Sequence, residues 1–266
     1  MKISIIGCGN IGRALIKAVG DGVVNCEISG LFDVNDMGLK KIPADLREKL
    51  NLNSIFTGDF SRFLDFKSDL VVEAASQEAV SDFGLRVLSS GKNLAVMSVG
   101  ALVDEKLLFE LKTAADKNNL KIYVPSGAIA GLDGIKAAKI SGITEAVLTT
   151  RKPPGSLGIE ERDCPKERVL YEGSAREAVK LFPKNINVAA TLSLSGIGFE
   201  KTKVKLIADP AIKNNIHEIL LKGSFGEMTL RVENVPSPDN PKTSYLASLS
   251  AIALLKSITE SVQIGN

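Results

Sequence analysis

The pattern of apolar and polar positions changes character near residue 126. Before it, short apolar runs alternate with amphipathic stretches. The runs are Ile3, Ile5 and Ile6; Asp69-Leu-Val-Val-Glu-Ala-Ala75; Asn93-Leu-Ala-Val-Met-Ser-Val99; and Lys121-Ile-Tyr-Val-Pro-Ser126. Apolar runs of this length suit strands buried on both faces. Between them, Ala14, Leu15, Ala18 and Val19 recur at helical spacing, as do Ala79, Val80, Phe83, Val87 and Leu88, with Gly91 as a stop. Asp104–Asn118 reads as a further helix, Asp36–Leu50 as a charged amphipathic stretch broken by Pro43, and Ser54–Phe60 as a short edge strand. Strands alternating with helices at this pitch predict an α/β class with a doubly wound parallel sheet.

After Pro125 the chain turns glycine-rich, Ser126-Gly-Ala-Ile-Ala-Gly-Leu-Asp-Gly134, as suits a hinge or a loop lying close to a ligand. Longer strands follow at Ala146–Arg151, Lys203–Ile207, Ile216–Gly223 and Glu227–Val232, with helices at Ala175–Phe182 behind a Ser174 cap and at Val188–Ser195. This predicts a second, mixed α+β domain with antiparallel pairs. Pro236–Pro241 reads as a linker, and the apolar Thr243–Val262 as a helix buried over much of its surface, packing back on the first domain. The expected organisation is residues 1–126, 127–236, and a linker with C-terminal helix over 237–266.

The most informative local pattern is Ile6-Gly-Cys-Gly-Asn-Ile-Gly12, at the end of the first strand. Gly7, Gly9 and Gly12 match the G-x-G-x-x-G spacing. The first permits a sharp turn, the second lets backbone approach a pyrophosphate, and the third lets the next helix sit close to the strand. Asn10 and Ile11 open that helix, whose N-terminus offers N–H groups to phosphate. Cys26–Asp33 reads as a second strand ending in an acid 21 residues after Gly12, close to the spacing at which a carboxylate meets the adenosine ribose. An acid there favours NAD, because it repels a 2′-phosphate. Arg13, Lys40 and Lys41 leave NADP admitted. Ala75 joins the expected cofactor contacts, since it stands at the carboxyl end of the strand Asp69–Ala75, where such sheets hold ligands.

Composition excludes several classes. The 266 residues are 44% hydrophobic and 24% charged with a net charge of +2, an ordinary globular balance that gives no reason to expect nucleic acid. No signal peptide or membrane span is expected, and Cys8, Cys26 and Cys164 lack metal-ligand spacing. A cytoplasmic protein without a metal is the expectation.

A dehydrogenase needs a group that exchanges a proton near neutrality, and histidine's ordinary pKa of roughly 6.5 suits that task. His217 is the single histidine of the chain. It is the acid–base candidate, against the alternative of a partly exposed residue at a strand start. Asn187 and Thr191 stand four apart on one helical face. Asn187 serves either as a cap or as a ligand for a nicotinamide amide or substrate. Lys136, Lys139, Lys201, Lys203 and Lys205 are the cations available for a carboxylate, or simply solvated lysines. Cys8 reads as a small residue tolerated in the loop.

The chain resembles the archaeal and bacterial L-aspartate dehydrogenases nearly end to end. The likeness rests on Ile6–Gly12, Val72-Glu-Ala-Ala-Ser76, Val96-Met-Ser-Val-Gly100, Pro125-Ser-Gly-Ala-Ile-Ala-Gly131, Phe182-Pro-Lys-Asn-Ile-Asn-Val-Ala-Ala-Thr191 and Asn215-Ile-His217. The resemblance implies a Rossmann-type first domain and NAD(P)-dependent oxidation of L-aspartate to iminoaspartate, which hydrolyses to oxaloacetate and ammonia or feeds quinolinate and NAD synthesis. It further implies His217 as catalytic residue, Ala128 and Asn187 near the nicotinamide, and a homodimer; Asn187, Thr191 and Ser126 are expected toward the substrate, and a hand-off to quinolinate synthase is a further expectation. Two rivals share the first half: a reductase of the dihydrodipicolinate or homoserine type, and a non-catalytic NAD(H)-binding sensor. A sugar-type dehydrogenase fits less well, because the Glu-Lys-Pro common to those proteins is replaced by Met97-Ser-Val-Gly100.

Overall fold

The apolar runs of the first half become the strands of one parallel sheet. The computed structural model describes residues 1–182, 187–238 and 240–265, without the side chains of residues 161, 241 and 242. Residues 183–186, inside one of the stretches that carry the resemblance, lie outside that description. The chain divides into two compact units, one made of Met1–Pro125 with Ser250–Ile264, the other of Ser126–Leu249 with the last two residues.

In the first unit the strands are β1 (Lys2–Ile6), β2 (Glu27–Phe32), β3 (Phe56–Thr57), β4 (Leu70–Glu73), β5 (Asn93–Val96) and β6 (Ile122–Tyr123). They lie in the order β3-β2-β1-β4-β5-β6, every pair parallel. The order reverses between β1 and β4, and such a switch point is where open α/β sheets bind ligands. Ile6 at the end of β1 is the register partner of Glu73 at the end of β4, so the loops after both strands leave side by side. The core beneath them holds Ile3, Ile5, Leu15, Leu31 and Val72, joined by Ala251 and Leu255 of the last helix, Tyr245–Thr259. Each such Val, Leu or Ile side chain contributes about 1.5–3 kcal/mol relative to exposure.

Glu73 is 1% exposed, an unusual position for a carboxylate. Burial pushes its pKa up, and the groups donating to it pull the other way. Oε1 accepts from Ala75 N at 2.8 Å and Ser98 Oγ at 2.8 Å, while Oε2 accepts from Met97 N at 3.2 Å and Ser98 N at 2.9 Å. One side chain therefore ties the loop after β4 to the loop after β5. Glu73→Leu would take the side-chain acceptor from Ala75 N and Ser98 N, while Met97 N keeps the Glu73 carbonyl at 3.1 Å, and a donor left unpaired costs about 1–3 kcal/mol when buried. A drop of about 5–15 °C in Tm is expected by calorimetry, and an unchanged Tm would show the latch to be dispensable.

The second unit holds β7 (Ile143–Lys152), β8 (Arg168–Ser174), β9 (Thr202–Ala208), β10 (Asn215–Gly223) and β11 (Gly226–Asn234), in the order β11-β10-β7-β9-β8. All pairs are antiparallel except β7 with β9, as expected of a mixed sheet. Along β7, Ala146, Leu148, Thr150 and Lys152 are buried while the residues between them are less so, a period of two that marks one covered face. Helices Leu132–Ser141, Ala175–Leu181 and Asn187–Ser195 belong to the same unit, and Ser174 Oγ caps the second by accepting from Glu177 N at 3.3 Å.

The expected linker is partly strand. Pro236–Ser237 (β12) pairs antiparallel with Asn240–Ser244 (β13), and Tyr245 N donates to Val235 O at 3.0 Å where the last helix begins. Prolines are tolerated in so short a ribbon because an edge position leaves their missing N–H unneeded. Likewise the strand expected over Lys121–Ser126 shrinks to β6, as Pro125 cannot donate to a ladder.

Candidate functional site

In the first unit the glycine loop is built as its spacing requires. Gly7 has φ +96°, and a Cβ on it would stand 2.8 Å from Ala74 O and 2.8 Å from the Ala75 side chain, so the turn after β1 and the loop after β4 are in contact. A Cβ on Gly12 would lie 2.0 Å from Gly7 O, which fixes how closely the helix Asn10–Gly20 seats against that turn. Gly9 differs: it is exposed, and its Cβ would meet nothing nearer than Ala74 O at 3.8 Å. Space is therefore kept above Gly9 for something other than the protein. Gly9 is also the N-cap of the helix and supplies no side-chain cap, and the positive end of a helix dipole attracts an anion.

Asp33 follows β2 and accepts from Cys8 N through Oδ2 at 2.7 Å. That bond fixes the carboxylate beside the glycine loop. Burial, then the Asp33 charge, push the Cys8 thiol up to about 12, so it is no nucleophile. Of the three cations the sequence sets against this acid, Arg13 donates to Cys8 O at 3.2 Å and Lys40 pairs with Asp36 at 2.8 Å. Sequence reasoning passed over Gly38, where a Cβ would stand 2.4 Å from Cys8 O. Its signal was faint, a lone glycine in a charged stretch. The loop, the open position at Gly9, the uncapped helix and the acid fit an adenine dinucleotide, whose pyrophosphate the helix N-terminus would hold and whose ribose Asp33 would meet.

In the second unit, His217 lies within β10 rather than ahead of it and is 2% exposed, so the partly exposed alternative is excluded. Its Nδ1 stands 3.0 Å from Thr150 Oγ1 on the neighbouring strand. Burial, and then the positive charge of Lys152, push its pKa down to about 3, so the ring is neutral across the physiological range. Lys152 is 5% exposed and burial pushes its pKa down to about 8. Sequence reasoning missed Lys152, yet its alternation phase with Ala146, Leu148 and Thr150 was there to be read.

Thr191 is buried and donates its hydroxyl to Asn187 O at 3.2 Å, which confirms their common helical face. Ala128 is buried, and its carbonyl accepts from Asn234 Nδ2 at 3.0 Å. Ser126 is half-buried at the start of the same glycine-rich loop. Of the five lysines offered by the sequence, Lys136, Lys201 and Lys203 are exposed, Lys139 donates to Leu194 O at 3.3 Å, and Lys205 faces Glu172 at 3.4 Å. Among the described residues no cluster of three or more His, Cys, Asp or Glu could hold a metal, and no helix is long and apolar enough to cross a membrane.

A dinucleotide-binding unit followed by a mixed sheet with one buried, oriented histidine defines a nicotinamide-dependent dehydrogenase. Residues 7–125 match the family model described as "Homoserine dehydrogenase, NAD binding domain", and residues 133–258 match "Aspartate dehydrogenase, C-terminal". The chain is 48% identical to an L-aspartate dehydrogenase of Methanosarcina barkeri and 45% identical to that of Methanosarcina acetivorans, each over 100% of this chain and 99% of the relative. The crystal structure of aspartate dehydrogenase from Thermotoga maritima superposes with a TM-score of 0.81 at 32% identity, covering 100% of this chain and 99% of that one. The chain belongs to the L-aspartate dehydrogenase family.

Proposed function

We propose that the protein oxidises L-aspartate to iminoaspartate, which hydrolyses to oxaloacetate and ammonia, and that the imino acid enters the quinolinate route of NAD synthesis. The observation that supports the substrate is the 48% identity, over the full length, to a protein named L-aspartate dehydrogenase. When bound, the nicotinamide supplies a hydride acceptor. His217 takes a proton from the substrate ammonium, so that the nitrogen lone pair can form the C=N bond as hydride leaves Cα. In that role Nδ1–H donates to Thr150 Oγ1, which leaves Nε2 as the proton acceptor. Ala128 and Asn187 contact the nicotinamide end of the cofactor. Asn187, Thr191 and Ser126 orient the substrate. A homodimer in the cytoplasm that hands its imino product to quinolinate synthase completes this reading, on the strength of the family resemblance.

A second reading, oxidation of L-homoserine, is favoured by the description of the model that covers residues 7–125. Purified protein should raise reduced-nicotinamide absorbance with L-aspartate and NAD, and less with NADP because of Asp33. D-Aspartate, L-glutamate and L-homoserine should give nothing. Activity on L-homoserine alone would replace the aspartate assignment.

A further inference from the structure

In the first unit the carboxyl ends of β1, β4 and β5 stand side by side, with Ile6 paired to Glu73 and Glu73 to Val96. An adenine dinucleotide lies across such a sheet at its switch point, one mononucleotide on either side. The glycine turn follows β1 and Asp33 follows β2, which gives the adenosine to the β1–β2 side and leaves the nicotinamide riboside to the β4–β5 side. Two segments edge that second side. Ala74–Ser76 leads from β4 into the helix Gln77–Ser89, and Met97–Ser98 leads from β5 into the turn Val99–Val103.

Glu73 joins these two segments. Its Oε1 accepts from Ala75 N and Ser98 Oγ, and its Oε2 from Ser98 N and Met97 N. Two donors on each oxygen occupy the acceptor sites of a carboxylate, and at 1% exposure none is left to exchange a proton with a ligand. What the side chain supplies is the placement of the loops. The tie continues to the pyrophosphate turn, because Ala74 N donates to Ile6 O at 2.8 Å and a Cβ on Gly7 would stand 2.8 Å from the Ala75 side chain. One rim thus runs from the glycine turn through Ala75, which is exposed, to Ser98. The core below asks for no carboxylate, as Val71 and Val72 of the same strand are buried and apolar. Burying a charge is costly unless every lone pair is met, and here the donors that meet it come from the loops on the ligand side of the sheet.

We infer that Glu73 is a positioning residue for the nicotinamide half of the cofactor: it holds the loop after β4 and the loop after β5 at the spacing that receives the nicotinamide riboside, without touching it. The adenosine half is placed by other residues, Asp33 and the glycine turn, and does not depend on this carboxylate. The inference needs the dinucleotide alone and holds whichever substrate is oxidised. Placement matters at this end because a shift of about 1 Å between hydride donor and acceptor costs about 10²-fold in rate.

The test compares wild type with Glu73→Gln, which keeps the shape and replaces one acceptor by an N–H donor. Whichever way the amide turns, Ala75 N or Ser98 N then faces a donor, and one of the two loops is released. Calorimetric titration with NADH and with ADP, which carries only the adenosine and pyrophosphate, reads the two halves separately. Loss of one charge-assisted bond should raise the Kd for NADH by about 10-fold, while the Kd for ADP stays within about 2-fold. A general loosening of the unit would weaken both ligands alike. Equal losses for NADH and ADP would therefore overturn the inference, as would an unchanged Kd for NADH. Should the glutamine variant not fold, Ser98→Ala removes only the hydroxyl donor and keeps the backbone bonds. It should raise the Kd for NADH by about 3-fold with ADP again unmoved, and the same two outcomes would overturn the inference.

Discussion

Replacing His217 with alanine is expected to lower kcat for L-aspartate oxidation by about 10²–10⁴-fold, the range for loss of a positioned acid–base group, while NADH affinity stays unchanged. Cofactor contacts and base belong to different elements: the glycine loop follows β1, and His217 sits within β10. Steady-state rates and NADH fluorescence titration on the same preparation therefore separate the two roles. The substitution also leaves Thr150 Oγ1 without its Nδ1 partner at 3.0 Å, so some thermal destabilisation accompanies it. His217→Gln, closer in volume, controls for that: its Tm should lie nearer wild type while kcat remains low. If kcat stayed within about 3-fold of wild type, His217 would be no more than a buried histidine, and the proton would have to be carried by another group.

Gly12→Ala should raise the Kd for NADH by up to about 10²-fold, the effect expected when overpacking forces a shift worth up to about 3 kcal/mol. The obstacle is backbone, since a Cβ there would stand 2.0 Å from Gly7 O. Gly7 has little room to retreat, because its N–H donates to Phe32 O at 2.7 Å and Ala74 lies close on its other side. The helix Asn10–Gly20 must therefore move, carrying its N-terminal N–H groups away from the pyrophosphate, and Tm should fall. Gly9→Ala is the informative contrast. Its Cβ has ordinary clearance, 3.8 Å from the nearest atom, so Tm should hold while NADH affinity still falls. Equal behaviour of the two variants would mean that the position above Gly9 is not where the cofactor lies.

The first unit was readable because each signal is local. A glycine triplet needs only its own turn, and four-to-seven-residue apolar runs mark buried parallel strands without reference to anything distant. His217 could be singled out by scarcity, but not its setting, since burial within β10 depends on Thr150 arriving from a strand 67 residues away. Lys152 was hidden for a related reason. A lysine next to an arginine at a strand end resembles a solvated terminus, and only the alternation phase of β7 turns one inward and leaves the other to Glu167 and Asp209. The Glu73 latch was equally obscure, as a carboxylate in an apolar run gives no hint that four donors converge on it. The proline-rich stretch at 236–241 misled because composition reports flexibility of the isolated segment, whereas its pairing into a ribbon depends on the residues of β13 that continue past it to Ser244.

The core that supports the glycine loop includes Ala251 and Leu255, which are separated from the rest of their unit by more than a hundred residues of intervening chain. On the ribosome this imposes an order. The nucleotide half emerges before the second unit, yet it cannot close its core until the last helix has been made, whereas the second unit has almost its whole sequence available earlier. A truncated transcript would thus yield a second unit with most of its elements and a first unit with an open seam, exposing apolar surface of the kind that chaperones and proteases recognise.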